Sequence, residues 1–166
     1  MKVIFEPLHN SFILPKRGTE HAAGWDMAAC IDEPITINVG ERVAVPLGCR
    51  AKIPVGYSVE VLPRSGLAIK NGLTVLNAPG LIDADYRGEW HAIMTYSSST
   101  SIVKVVDDNT QQAHWETRSG GQPFVITPGM KICQIVLRKV EDMEPELGQV
   151  DIDTNRGTGG FGSTGV

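Results

Sequence analysis

A chain of 166 residues with a formal net charge of −4 has the length of one domain and enough residues to bury a core. Its acidic balance excludes a protein that holds nucleic acid by bulk electrostatics, which would carry a basic patch. Eighteen glycines and ten prolines, with only 6% aromatic residues, suit a turn-rich all-β protein better than a helical bundle.

Residues 2–5 read as a short strand, followed by polar residues 6–10, a second apolar stretch at Phe12-Ile13-Leu14, and a turn over 15–18. In residues 22–29, small side chains flank Trp25 and Asp26. Gly24 weakens a helix there, and a strand needing close backbone approach fits better. From Pro34 the alternation is plain: Ile35, Ile37 and Val39, a turn at Gly40, then Val43, Val45 and Leu47. Gly48, a turn at 54–56 and a strand over 57–62 continue the rhythm of a sandwich or jelly-roll-like barrel. Residues 66–71, closed by Gly72, break it and predict one or two helical turns. A tight hairpin is predicted next. It has a strand through Leu81 and Asp83, a turn near Asp85 and Tyr86, and a strand from Glu89 to Met94.

Residues 97–101 form a polar breaker, 102–106 a β-rich run, and 107–121 a polar stretch around His114 and Trp115. Strands return at 124–126 and 132–140, before an acidic loop over 141–148. The Gly-rich tail, 151–166, has too few apolar residues to order itself. It is either a disordered terminus or a flap that orders on a ligand. Cys30, Cys49 and Cys133 lack CxxC spacing, and His9, His21, His91 and His114 lack metal-ligand spacing, so neither disulfides nor zinc are expected. Residues 1–5 lack the apolar core of a signal peptide and no run approaches membrane-spanning length. A soluble, cytoplasmic protein without a membrane partner is expected.

Chemistry concentrates in a few places. The stretch from Gly80 to Glu89 holds Asp83, Asp85, Tyr86 and Arg87 between glycines. Two such acids could bind metal or activate water, or simply cap the turn. Arg64-Ser65-Gly66 sits before the predicted helical turn, where free amides suit phosphate, although an ordinary N-cap serine beside a surface arginine reads the same way. The tail joins Arg156 to glycines able to wrap an anion, and Phe161 could close over a flat ring; a merely flexible end has the same composition. The Gly-Lys-Ser/Thr signature of a P-loop is absent. Asp26 is a lone acid among small residues, a ligand or a structural acceptor. Gln134, within an apolar run, needs a partner if buried and is otherwise the solvent side of a strand.

Taken together, these segments resemble the trimeric dUTP diphosphatase (dUTPase) family, whose five motifs are recognisable in order at residues 23–27, 63–67, 80–88, 131–136 and 156–165. Two motifs depart from the family pattern. Trp25 stands where Tyr or Phe is usual, and Met130 and Cys133 replace an acid and an alanine of the fourth. About twenty extra residues lie near 99–121, and some phage members of the family carry inserts that engage protein partners.

The resemblance implies an all-β, distorted jelly-roll-like barrel over 1–150, with one short helix and a flexible C-terminal arm over 151–166 closing on the active site. It implies hydrolysis of dUTP to dUMP and pyrophosphate, with Asp83 as general base for water attacking the α-phosphorus. Arg64, Ser65, Gly66 and Gln134 would contact phosphates. Arg156, Gly162, Ser163 and Thr164 would clasp them from the arm, and Phe161 would stack on uracil. Asn77 and the backbone at Gly80 would read the uracil edge, and Tyr86 would exclude a ribose 2′-OH, leaving Asp85 to hold the turn. Mg2+ would ride on the phosphates, touched by Asp26 through water, and a homotrimer would complete each site. Two rival readings are a dCTP deaminase activity on the same fold and a regulatory role in which the insertion docks a protein partner; a lengthened hairpin is the plainer reading of that insertion.

Overall fold

The computed structural model describes residues 1–97, 101–106, 113–118 and 121–159, giving the backbone alone for 101–106 and 113–118. Thirteen strands and one helix follow in chain order among them. They run β1 (Ile4–Pro7), β2 (Trp25–Ala28), β3 (Ile35–Ile37), β4 (Arg42–Pro46), β5 (Cys49–Lys52) and β6 (Tyr57–Pro63). After α1 (Ser65–Asn71) come β7 (Leu73–Val75), β8 (Gly80–Ile82), β9 (His91–Tyr96), β10 (Ser101–Val106), β11 (Ala113–Arg118), β12 (Phe124–Ile126) and β13 (Lys131–Lys139). The all-β class with one short helix is as expected.

Two sheets make the body. One runs β2-β13-β6-β8 and the other β4-β9-β7, with β1-β5, β3-β12 and β10-β11 as separate pairs. β9 shows how sequence sets the faces. Ala92, Met94 and Tyr96 point inward while His91 and Ile93 point out, the alternation of a sheet wet on one side. β13 is flanked on both edges, and its run Ile132-Cys133 is buried without alternation at a bulge against β2. Met27, Val59, Val61, Ile132 and Ile135 from the first sheet meet Val45, Leu73, Val75, Ala92 and Met94 from the second in one core. Trp90 is buried beside it, edge-on to Phe5 at 5.4 Å between ring centroids. At roughly 25 cal/mol per Å² of apolar surface removed from water, this shared core is the main source of stability.

The helix forms where predicted and ends as predicted: Gly72 takes φ +69° and donates its N–H to Ala68 O and Leu67 O. The hairpin predicted over residues 81–94 does not form. β8 pairs with β6, whereas β9 pairs with β4 and β7, so residues 83–90 cross from one sheet to the other. The physical reason is that period-two alternation fixes which face is buried, not which strand is the neighbour. The eight residues between Ile82 and His91 also exceed the two-residue loop of a tight hairpin. Within residues 99–121, β10 and β11 pair antiparallel from Ser101 opposite Arg118 to Val106 opposite Ala113, so the insertion is a lengthened hairpin. Residues 140–152 form neither strand nor helix. Among the described residues, no helix is long and apolar enough to cross a membrane.

Candidate active site

Three adjacent elements build a charged cluster. Register places Gln134 of β13 opposite Asp26 of β2 on one side and Leu62 of β6 on the other, so the first, second and fourth motifs meet across one sheet. Arg64, the residue before α1, reaches back with Nε 3.0 Å from Asp26 Oδ1 while its Nη1 donates to Lys131 O at 2.8 Å. Lys131 Nζ donates to Asp26 Oδ2 at 3.0 Å. Both carboxylate oxygens of Asp26 therefore face a cation. Gln134 Nε2 donates to Pro63 O at 2.8 Å, and Gly24 leaves the room its carboxamide occupies. Gln134 thus has a specific partner rather than open solvent.

Ser65 and Gly66 lie exposed in the first turn of α1, and Arg64 occupies the cap position without a side-chain cap bond. Ser65 is the first helical residue, not the cap. Its amide and that of Gly66 are among the first N–H groups of a helix, which have no partner within it. Behind the cluster, burial first and the Asp26 charge second push the Cys133 thiol up to about 12. That thiol stays protonated and acts as an apolar filler.

The third motif builds a separate cleft of about 320 Å³. Val61 and Ile93 supply apolar wall, while Asn77, Gly80, Asp83 and Tyr86 bring the polar groups. Gly80 keeps the approach open here, since a Cβ would come 3.1 Å from Asn77 Nδ2 and press on that side chain. The connection after β8 turns through the Tyr86 N–H bonding Asp83 O at 3.2 Å, leaving Asp83 exposed at the rim. Tyr86 folds across Gly88, where any Cβ would strike the ring, and its hydroxyl donates to Glu89 O at 3.1 Å. Asp85, expected to hold this turn, has no side-chain hydrogen bond among the described residues. Arg87 braces it instead, through Ala84 O at 2.7 Å and Tyr86 O at 2.9 Å. Five donors in a rigid fork allow one arginine to span two carbonyls, which a carboxylate cannot do.

Asn77, Gly80, Asp83 and Tyr86 therefore share one cleft, and Asp26, Arg64 and Gln134 share another place; no residue of that cluster lines the cleft. Arg156 joins neither. Its Nε donates to Gly159 O at 3.0 Å on the tail itself. Phe161, Gly162, Ser163 and Thr164 lie outside the described residues, as do the side chains of His114 and Trp115. Lys131 and Glu89, which lines the cleft, had no assigned role in the sequence reading. A basic residue at a strand's start carries no functional signal until the fold brings its Nζ to Asp26 Oδ2.

A family model described as dUTPase matches residues 10–110 and 117–165. The chain belongs to the dUTPase family. The interruption in that match falls between β10 and β11 and at the start of β11. A deoxyuridine 5′-triphosphate nucleotidohydrolase of Rickettsia akari is 43% identical over 153 residues, covering 92% of this chain and 88% of that protein. Among solved structures, a dUTPase variant from Staphylococcus bacteriophage 80alpha, bound to dUpNHpp, superposes with a TM-score of 0.74 at 24% identity, covering 99% of both chains. A dUTPase variant from S. aureus phage phi11, described with a structural Mg(II) ion, gives 0.66 at 22% identity, covering 94% of this chain and 99% of that one. These two likenesses place this dUTPase within a common fold.

Proposed function

We propose that this protein hydrolyses dUTP to dUMP and pyrophosphate, on the arrangement that gathers Asn77, Gly80, Asp83 and Tyr86 around one cleft. The cleft is the right kind of space for a pyrimidine deoxynucleoside, with an apolar wall and a few convergent polar groups. Asn77 and the Gly80 backbone face the base, and Tyr86, held by Glu89 O, lies under the sugar where a 2′-OH would collide. Water at the rim attacks the α-phosphorus and gives its proton to the Asp83 carboxylate. The new P–O bond forms as the bond to the bridging oxygen breaks, and pyrophosphate leaves in line.

The triphosphate needs cations and amide donors, which the other cluster holds: Arg64, the amides of Ser65 and Gly66, and the second amide hydrogen of Gln134. Because cluster and cleft stand apart within one chain, a second copy brings its cluster to the first copy's cleft. A third supplies the arm, so that 1–150 is the body of each subunit and 151–166 its neighbour's lid. Residues Met143, Leu147, Val150 and Ile152 support this homotrimer, as they stand almost fully exposed on an irregular segment and need cover. Arg156, Gly162, Ser163 and Thr164 would then clasp the outer phosphates and Phe161 the uracil.

Among the described residues no group of three Asp, Glu, His or Cys side chains could hold a metal ion. Asp26 is the carboxylate of the phosphate cluster, and that donor set fits a hard cation carried by the substrate's phosphates, with Asp26 holding one of its waters. Mg2+ so bound would offset charge on the triphosphate. Pyrophosphate release measured across dUTP, dCTP, dTTP and UTP, with and without Mg2+, tests the reading. Turnover confined to dUTP is expected, and ammonia released from dCTP would replace it with the deaminase reading.

A further inference from the structure

Lys131 stands apart from the other residues of the phosphate cluster in how loosely it is held. Arg64 is fixed at two points, Asp26 Oδ1 and Lys131 O, and only a third of its side chain is exposed. Among the described residues the Lys131 side chain makes one polar contact, Nζ to Asp26 Oδ2 at 3.0 Å, and it is 55% exposed. Asp26 is the opposite case, with 16% exposure. A carboxylate so placed is costly to leave with an oxygen unpaired, whereas an exposed ammonium pair is worth little and exchanges readily. Lysine also suits exchange, as a point charge on a flexible stem with three rotatable donors.

On the reading of the protein as a dUTP hydrolase, we propose that Lys131 is a placeholder cation at Asp26. Its ammonium pairs Oδ2 while no nucleotide is bound. When the triphosphate arrives, the ammonium turns to a phosphate oxygen and frees Oδ2 for a water of the cation the phosphates carry. One side chain thereby does two things. It keeps Asp26 paired in the empty protein, and it supplies phosphate charge when divalent metal is scarce. Met130 beside it is apolar and offers Lys131 no competing carboxylate.

The test compares wild type with Lys131→Met and Lys131→Arg, full-length, by calorimetric titration of dUpNHpp in EDTA and in Mg2+. Mn2+ affinity of the nucleotide complex is read by electron paramagnetic resonance. With Lys131→Met, analogue affinity in EDTA is expected to fall about tenfold, the loss of one charge-assisted hydrogen bond. Mn2+ affinity is expected to rise severalfold, because no ammonium then shares the phosphate charge with the metal. Lys131→Arg, which keeps the charge, should restore binding in EDTA. Equal losses in EDTA and Mg2+ would make Lys131 an ordinary phosphate contact, and unchanged affinities would remove it from the site; either overturns the proposal. Wild-type protein that fails to bind the analogue at all would instead overturn the functional reading beneath it.

Discussion

Gly24 lies so close to Gln134 that a Cβ at position 24 would overlap the carboxamide. The glycine on the approach to β2 thus determines where a side chain of β13 points, and through it how Pro63 O is satisfied. Gly24→Ala should displace the carboxamide and break the 2.8 Å bond to Pro63 O. We expect a loss of about 1 kcal/mol in urea unfolding, the net worth of one part-buried hydrogen bond. KM for dUTP should rise alongside, and an unchanged KM would detach Gln134 from phosphate binding.

Asp83→Asn keeps the shape of the rim but removes the proton acceptor. Turnover should drop by about 10²–10⁴, the usual contribution of a general base. Calorimetry with dUpNHpp should show binding retained. Normal pyrophosphate release from this variant would rule Asp83 out as the base.

Gly88→Ala places a methyl group where the Tyr86 ring lies. The ring must leave its seat and lose the bond to Glu89 O, opening space under the sugar. The ratio of kcat/KM for dUTP over UTP should fall about tenfold, a change of ~1.4 kcal/mol in discrimination. Parallel steady-state assays on the two nucleotides measure it. A preserved ratio would show that Tyr86 does not gate the sugar.

Deleting residues 156–166 removes Arg156 and the glycines of the arm while leaving the described core untouched. Pyrophosphate release should fall sharply with little change in melting temperature. A large drop in thermal stability would make the tail a structural element.

Burial pushes the Cys49 and Cys133 thiols from the ordinary 9.0 up to about 12, with the Cys30 and Glu89 charges adding at Cys49 and Asp26 at Cys133. A thiol whose pKa is raised by folding stabilises the protein fully below its unfolded value. That contribution is lost as pH rises through the window from 9.0 to about 12, where only the unfolded chain has ionised. Denaturation midpoints should therefore hold up to pH ~9 and fall above it, less steeply for Cys133→Ala than for wild type.

Much of this fold is legible along the chain, because alternation in β9 and the apolar run in β13 declare which faces are buried. Partner strands are not declared, which is why residues 81–94 read as a hairpin although they belong to two sheets. β11 went unread for another reason. Ala113-His114-Trp115-Glu116-Thr117-Arg118 is polar and carries no clear apolar alternation, although it pairs with β10 along its whole length. In the site, Gly24 was legible as a close approach, but its neighbour Gln134 is 110 residues away and invisible to local pattern. Lys131 acquires meaning only when its side chain reaches across to Asp26 of β2, and Arg87 rather than Asp85 braces the turn because a guanidinium can reach two carbonyls.

Residues 83–90 leave one sheet at Ile82 and meet the other at His91, with Ile82 and Trp90 buried at the two ends. The rim that carries Asp83 and Tyr86 is thus a bridge between two slabs, anchored in each. Any slip of one slab against the other is delivered to the rim as a change in span. Core residues such as Val59 and Ala92, on the strands that hold its two ends, consequently bear on the width of the cleft without lining it.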